Sequence, residues 1–176
     1  MKKIVSELFM TLDGVVGSPE KWHSPYHDQE MDRAIQAGLA AADVMLLGRR
    51  TYEEHASYWP EATGAMADRM NAMPKIVLSS TLTDPTWQNT GIITTLDDAA
   101  HLKHESGDGP ILITGSPTLV RTLLHKGLLD ELRLIIDPIV AGSGARLFDG
   151  RRFGLEHVTT LALPSGSLSI TYAPIP

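Results

Sequence analysis

The 176-residue sequence contains no cysteine. Disulfides, thiolate nucleophiles and cysteine-ligated zinc are therefore excluded. No apolar run approaches the ~18 residues that a membrane-spanning helix requires. There is no Lys/Arg run long enough to hold a polynucleotide backbone, and acidic and basic residues are interleaved at a formal net charge of -6, which argues against nucleic acid as a partner. No Gly-Lys-Ser/Thr completes a phosphate-binding P-loop, and no Gly-x-Ser-x-Gly elbow marks a serine hydrolase. The segment GSGARL (142–147) lacks the third glycine of a dinucleotide fingerprint and runs into Phe148-Asp149-Gly150 rather than a helix. Two lysines precede the apolar stretch at the N-terminus, as in a secretory leader. Ser6, Glu7, Thr11 and Asp13 interrupt that stretch, and no small-residue cleavage site follows. The expectation is a cytoplasmic protein with no membrane partner.

What remains is ordinary for a folded chain: 43% hydrophobic and 20% charged residues. With no linker, low-complexity tract or repeat, one domain over residues 1–176 is expected. Short apolar runs alternate with amphipathic stretches, the pattern of an α/β sheet with covering helices. Strands are predicted at 3–10, 44–48, 76–80, 91–95, 110–114 and 131–137. Helices are predicted from Pro25 to Ala42, after Gly48 as far as Pro60, over 63–73, at 96–105 and from Pro117 to Lys126. The last of these has Pro at its start and Gly just past its end, the usual asymmetry. HVTTLALPSGSLSITYA reads as an antiparallel hairpin turning at Pro164–Ser167.

Three strand ends carry residues suited to phosphate. At Gly48-Arg49-Arg50-Thr51 the glycine lets a ligand approach the backbone, the following helix offers unpaired amides, and two arginines add forked donors. Ser79-Ser80-Thr81 brings three small hydroxyls, and Gly115-Ser116 precedes the helix that starts near Pro117. Each junction alone also reads as a tight turn with a capping residue. Together they lie where open α/β sheets bind ligands, beyond the carboxyl ends of the strands.

Taken in order, TLDGVVG (11–17), ADVMLLGRRTYE (42–53), PKIVLSSTL (74–82), ILITGSPTLVRTLL (111–124) and GLLDELRLIIDPIVAGSGARLF (127–148) resemble the dihydrofolate reductase superfamily. The likeness is greatest to the branch that holds the reductase domain of riboflavin biosynthesis, and it covers most of the chain. The resemblance implies a mostly parallel mixed sheet with flanking helices and an antiparallel C-terminal hairpin, with NADPH as hydride donor. By position, Arg49 and Ser80 would hold the 2′-phosphate with Ser79 beside them. Gly48 and Thr51 would serve the pyrophosphate with Arg50 a further cofactor-binding donor, Gly115 and Ser116 would form a second phosphate loop, and Val16 and Gly17 would lie along the nicotinamide. Ser116 stands where folate enzymes usually carry the second glycine of a pair, which turns the expectation away from folate itself. The riboflavin-type branch also implies a homodimer. The zinc deaminase module that often accompanies that reductase needs cysteine ligands and is absent from this chain.

On the substrate side the resemblance points to an acid near the start of the first helix. Asp28 is the candidate, with Glu30 and Asp32 nearby, although the helix dipole alone favours acids there. Trp22 is the candidate wall of a substrate pocket, or else a core anchor. Asp13-Gly14 reads as a turn, and Arg146 as either a loop charge or a contact for an anion. The stripe Met66, Met70 and Met73 reads as core. His23 and His27 are spaced as metal ligands, but Pro25 between them breaks the helical turn such a pair needs, so no metal is expected. The resulting expectation is an NADPH-dependent reductase of a small heterocycle, pterin-like or a ribosylaminopyrimidine. The alternative is a catalytically silent nucleotide-binding protein of the same fold, acting as a sensor or interaction module.

Overall fold

The apolar runs become eight strands in the computed structural model, which describes residues 1–175. These are β1 (Ile4–Thr11), β2 (Val44–Gly48), β3 (Lys75–Leu78), β4 (Thr90–Ile93), β5 (Ile111–Ile113), β6 (Glu131–Asp137), β7 (Leu155–Ala162) and β8 (Leu168–Pro174). They form one sheet in the order β4-β3-β2-β5-β1-β6-β8-β7. The first six are parallel, whereas β8 runs antiparallel to β6 and β7 antiparallel to β8. This is the mixed sheet with a C-terminal hairpin that the sequence predicts.

The helices are α1 (Gln29–Ala41), α2 (Arg49–Tyr58), α3 (Ala65–Ala72), α4 (Leu96–His101) and α5 (Pro117–His125). Helix α1 starts later than expected: Pro25 sits in a separate 3-10 turn, Ser24–Tyr26, and Asp28 is extended, with φ -143 and ψ 167. Strands β3 and β4 stop at Leu78 and Ile93, short of the predicted ends, because Ser79 spends its hydroxyl on a local turn and Thr95 caps α4.

Strand side chains alternate between faces, so the sheet has two cores. Ile4, Leu8 and Leu46 pack with Val120 and Leu123 of α5 and Ala99 of α4. Val5, Met45 and Leu47 pack on the other face with Leu39 of α1, Tyr52 of α2 and Met70 of α3. Strand β2 is buried on both faces, which explains its unbroken apolar sequence.

Chain order places the site. Strands β2 and β5 are neighbours, although β3 and β4 intervene in sequence. Helix α2 leaves β2 toward one core and α5 leaves β5 toward the other. Their N-termini therefore face each other over the carboxyl ends of adjacent strands, the geometry of a ligand crevice in open α/β sheets.

Helix α3 is fixed by an unusual group, Lys75, which is 1% exposed. Its Nζ donates to the carbonyls of Met70, Asn71 and Met73 at 3.0, 3.2 and 2.6 Å and lies 4.1 Å from the centre of the Trp87 ring. Burial pushes its pKa down to about 8. The three carbonyls belong to the C-terminal end of α3, where a cation complements the helix dipole. Replacing Lys75 by Met strands those acceptors, so urea unfolding of Lys75→Met is expected to show a loss of about 2–3 kcal/mol.

Candidate active site

Gly48 closes β2 and opens α2. A Cβ there would lie 2.9 Å from Ser116 Oγ, so only glycine lets the two junctions touch. The contact is reciprocal: Gly48 N donates to Ser116 Oγ at 2.7 Å, and Ser116 N donates to Thr51 Oγ1 at 2.8 Å. Gly115 completes the fit, because a Cβ on it would come within 2.7 Å of Thr51 Cγ2. Ser116 is held in the left-handed region, with φ 57 and ψ 66, where glycine is the easier residue.

This latch uses the Ser116 hydroxyl that could otherwise cap α5, while α2 begins at a glycine with no side chain to cap it. Neither α2 nor α5 has a side-chain cap. Helix α1 is capped by Asp28 and α4 by a Thr95–Asp98 capping box, while α3 is uncapped at an exposed end. The first-turn amides of α2 and α5 therefore keep open donor capacity and the positive ends of two helix dipoles.

Those helix ends border a cleft of about 900 Å³. Lys21, Arg49, Arg50, Arg121 and Arg146 line it, against a single carboxylate, Glu54. In a chain of net charge -6 this is a local reversal of sign. The opposite wall is Val15–Ser18, pinned to a second loop: Val16 N and Gly17 N donate to Ala145 O at 2.8 and 3.2 Å. Trp22 joins this wall and donates from Nε1 to Gly17 O at 3.0 Å. Behind it, Asp13 accepts from Thr11 Oγ1 at 2.6 Å and from the amides of Ala141 and Gly142 at 3.0 and 2.9 Å. Arg146 donates to the Asp13 carbonyl. The Thr11 hydroxyl, followed by the Ala141 amide, holds the Asp13 carboxyl down to about 2. Asp13 is thus a clamp between two loops, and Gly14 beside it takes the positive φ of 85° that the turn reading predicts.

A second cavity of about 300 Å³ adjoins the first and shares Val16, Thr51, Glu54, Ser116 and Pro117 with it. Its lining is mostly apolar, including Phe9, Ile35, Trp59, Met66, Met70 and Ile135. The ionisable side chains on it are Glu7, Glu54 and His55, with no lysine or arginine. Burial pushes His55 down to about 4, so the imidazole is neutral at pH 7. Burial pushes Glu7 up to about 7, opposed in part by the charge of Arg133.

The structure sorts the residues singled out from the sequence. Val16, Gly17, Trp22, Gly48, Arg49, Arg50, Thr51 and Ser116 all line the larger cleft, and Gly115 lines the smaller cavity. Ser79 and Ser80 line neither. Ser79 Oγ accepts from the amides of Thr81 and Leu82 at 3.2 and 3.0 Å, while Ser80 is exposed. The hydroxyl that reaches Arg49 belongs to Thr81, at 3.0 Å from Nη1. Asp28 is the N-cap of α1. One of its oxygens accepts from Glu30 N and Met31 N, the other from Ser165 N, and it lines neither cavity. These amides, Met31 first, hold its carboxyl down to about 2, where it stays ionised. Met66 and Met70 are both core and cavity wall.

Sequence reasoning passed over the role of His23. Its Nδ1 is 2.7 Å from Asp137 Oδ2, whose other oxygen accepts from Ser167 Oγ at 2.7 Å, and its ring stacks on Phe9 at 3.7 Å. Asp137 is fully buried at the end of β6. The group ties the Trp22 segment to the sheet and to the hairpin turn. His27 goes elsewhere, to Asp32 at 2.8 Å, so the two histidines do not share a ligand. Thr81 was noted only as one of three hydroxyls, and Glu7 and Arg121 were missed because each lies in a segment that reads as plain strand or helix.

Two uncapped helices at the centre of a mostly parallel sheet with a C-terminal antiparallel hairpin define a dihydrofolate-reductase-like fold. The dihydrofolate reductase of Enterococcus faecalis, solved with NADP(H) and RAB-propyl, superposes with a TM-score of 0.65 at 16% identity, covering 98% of this chain and 96% of that one. A putative riboflavin biosynthesis protein from Shewanella sp. PV-4 superposes with a TM-score of 0.79 at 19% identity, over 100% of both chains. The RibD C-terminal domain family matches residues 2–167, and the chain belongs to that family. Over 182 residues it is 28% identical to the uncharacterized protein YyaP of Bacillus subtilis (strain 168), covering 97% of this chain and 94% of the relative.

Two outcomes are expected. Thr51→Val leaves the Ser116 amide buried without an acceptor, and chemical denaturation should show a loss of about 1–3 kcal/mol that Thr51→Ser largely restores. Asp28→Ala should lower the melting temperature at pH 7. The folded-state pKa of Asp28 lies below its unfolded value of 3.8. Its contribution is therefore present above that value and fades as pH falls toward 2, so the two proteins should converge in acid.

Proposed function

We propose that the protein is an NADPH-dependent reductase of a small heterocycle, with cofactor in the larger cleft and substrate in the smaller cavity. The observation that carries this reading is the pair of uncapped helix N-termini, held together by Gly48, Thr51 and Ser116, at the head of a cleft lined by five cations. Open amides at dipole ends, with arginines beside them, are the donor set that a dinucleotide's phosphates need.

In this reading the first-turn amides of α2 and α5 hold the pyrophosphate. Arg49, with Thr81 beside it and Ser80 next in the chain, receives the 2′-phosphate that distinguishes NADPH from NADH. Val16 and Gly17 line the nicotinamide end, and Trp22 keeps that wall in place through its bond to Gly17 O. Bound there, NADPH supplies a hydride. The chain's own contribution is to orient the two ligands across the boundary formed by Val16, Thr51, Glu54, Ser116 and Pro117, and to exclude water with the apolar wall of the smaller cavity. The protein acts as one domain, in the cytoplasm, and as a homodimer in this proposal.

Titration followed by NADPH fluorescence tests the reading. NADPH is expected to bind more tightly than NADH, and Arg49→Ala should weaken NADPH by roughly tenfold or more while changing NADH little, the loss of a charge-assisted phosphate contact. Failure of the wild-type protein to bind NADPH would overturn the proposal. Binding with no oxidation of NADPH across a panel of heterocycles would favour the silent nucleotide-binding alternative.

A further inference from the structure

The two adjoining cavities differ in the charge of their walls, and the difference constrains what the smaller one accepts. This inference rests on the reading of the larger cleft as the cofactor site. Glu7 lies on β1, on the same face as Val5 and Phe9, and lines the smaller cavity. Among the described residues its carboxylate has no hydrogen-bond or ion-pair partner. Its register neighbour on β6 is Arg133, but that guanidinium is engaged with Glu131, at 2.8 Å from Nη2 to Oε2. Helix α1 crosses over the carboxylate at Gly38, where a Cβ would stand 3.4 Å from Glu7 Oε2. Glycine there keeps the approach to the carboxylate uncrowded.

An unpaired carboxylate in an apolar pocket is costly, and an aliphatic residue on this strand would fill the wall without that cost. The cost becomes intelligible if a ligand completes the pair. The lining supplies no lysine or arginine to receive an anion, and its imidazole, His55, is neutral. At about 300 Å³ the cavity is at the small end of ligand sites, room for a ring system but not for a long phosphorylated tail.

We propose that the smaller cavity binds a compact planar heterocycle presenting N–H donors or a delocalised cation, that Glu7 is the group that receives it, and that phosphorylated and carboxylated molecules are rejected there. Selection follows from burial. A ligand without donors leaves Glu7 unpaired, and an anion adds like-charge repulsion in a site of low dielectric. The groups that face Glu7 are Arg133 from β6 and, across the cavity, Glu54 and His55 from α2. Helices α1 and α3 contribute Ile35, Leu39, Met66 and Met70, none of them charged. Glu7 changes ionisation close to pH 7, while His55 stays neutral from pH 6 to 8. A cation should therefore bind more tightly as pH rises through that window.

Benzamidinium and benzoate, flat rings of matched size and opposite charge, provide the probes. Calorimetric titration of the whole chain without NADPH should show benzamidinium binding roughly tenfold more tightly at pH 8 than at pH 6, following the ionised fraction of a group near pH 7. At pH 8, where Glu7 is ionised, excess benzoate should not displace benzamidinium, whatever its own binding to the cationic cleft. The isosteric Glu7→Gln should weaken benzamidinium and abolish its pH dependence, with a cooperative melt as the check on folding. If that variant does not fold, the wild-type contrast between the two probes and its pH dependence decide alone. Displacement of benzamidinium by benzoate at pH 8, no binding of benzamidinium at millimolar concentration, or an unchanged Glu7→Gln would overturn the proposal. NADPH is titrated separately, so a chain that binds benzamidinium as stated but not NADPH refutes the cofactor reading and leaves the role of Glu7 standing.

Discussion

The contact on which the site depends is the pair of hydrogen bonds joining Gly48, Thr51 and Ser116. Sheet order makes β2 and β5 adjacent, but adjacency alone would leave two helix starts a few ångströms apart with independent caps. The Ser116 hydroxyl and amide instead turn toward α2, and the Thr51 hydroxyl turns toward α5. Helix α5 gives up the side-chain cap of Ser116 to hold its neighbour, and α2 starts at a glycine that has none to give. The result is a rigid ridge whose outward face has spare N–H donors, built from residues too small to obstruct a ligand. The left-handed backbone of Ser116 costs of order 1 kcal/mol, and its two buried hydrogen bonds offset that.

Around this ridge, charge is sorted by location. The basic side chains come from elements far apart in sequence: the loop after β1, the starts of α2 and α5, and the loop before β7. The smaller cavity is walled largely by the apolar faces of β1, α1 and α3 and takes no lysine or arginine. The boundary between a cationic cleft and an apolar pocket is thus a few atoms of Val16, Thr51, Glu54, Ser116 and Pro117. An acidic protein can bind a polyanionic ligand in this way, since the local field, not the net charge, acts on a ligand inside a cleft.

Much of this was legible in the sequence, and the failures have physical causes. Strand and helix order could be read because β2 and β5 are buried on both faces and the helices are amphipathic. Gly48, Thr51 and Ser116 were legible as junction residues, but their mutual bonds were not, because these join positions on different units. Asp28 shows how two roles can look alike in sequence: an acid ahead of a helix serves as cap or catalyst, and only the amides of Met31 and Ser165 decide between them. Glu7 was read merely as a polar interruption of an apolar stretch. Its significance depends on Gly38 and Arg133, neither of which is near it in sequence. His23 was weighed against His27 as a ligand pair, whereas its partner Asp137 lies 114 positions away.

That separation has a kinetic side. The Gly48–Ser116 bond spans 68 positions, and the clamp from Asp13 to Ala141 spans 128. Strand β5 must insert between β1 and β2 after the chain has made an excursion to the sheet edge and back. Loop closure on this scale carries its entropic cost before the contacts compensate for it, and topologies rich in such contacts fold slowly. On a ribosome, the first half of the chain emerges with α2 already possible but without the strand that completes the ridge. The donors of the two helix N-termini therefore come together late in synthesis, and a nascent chain completes the ridge between its two cavities only once the central gap in its sheet is filled.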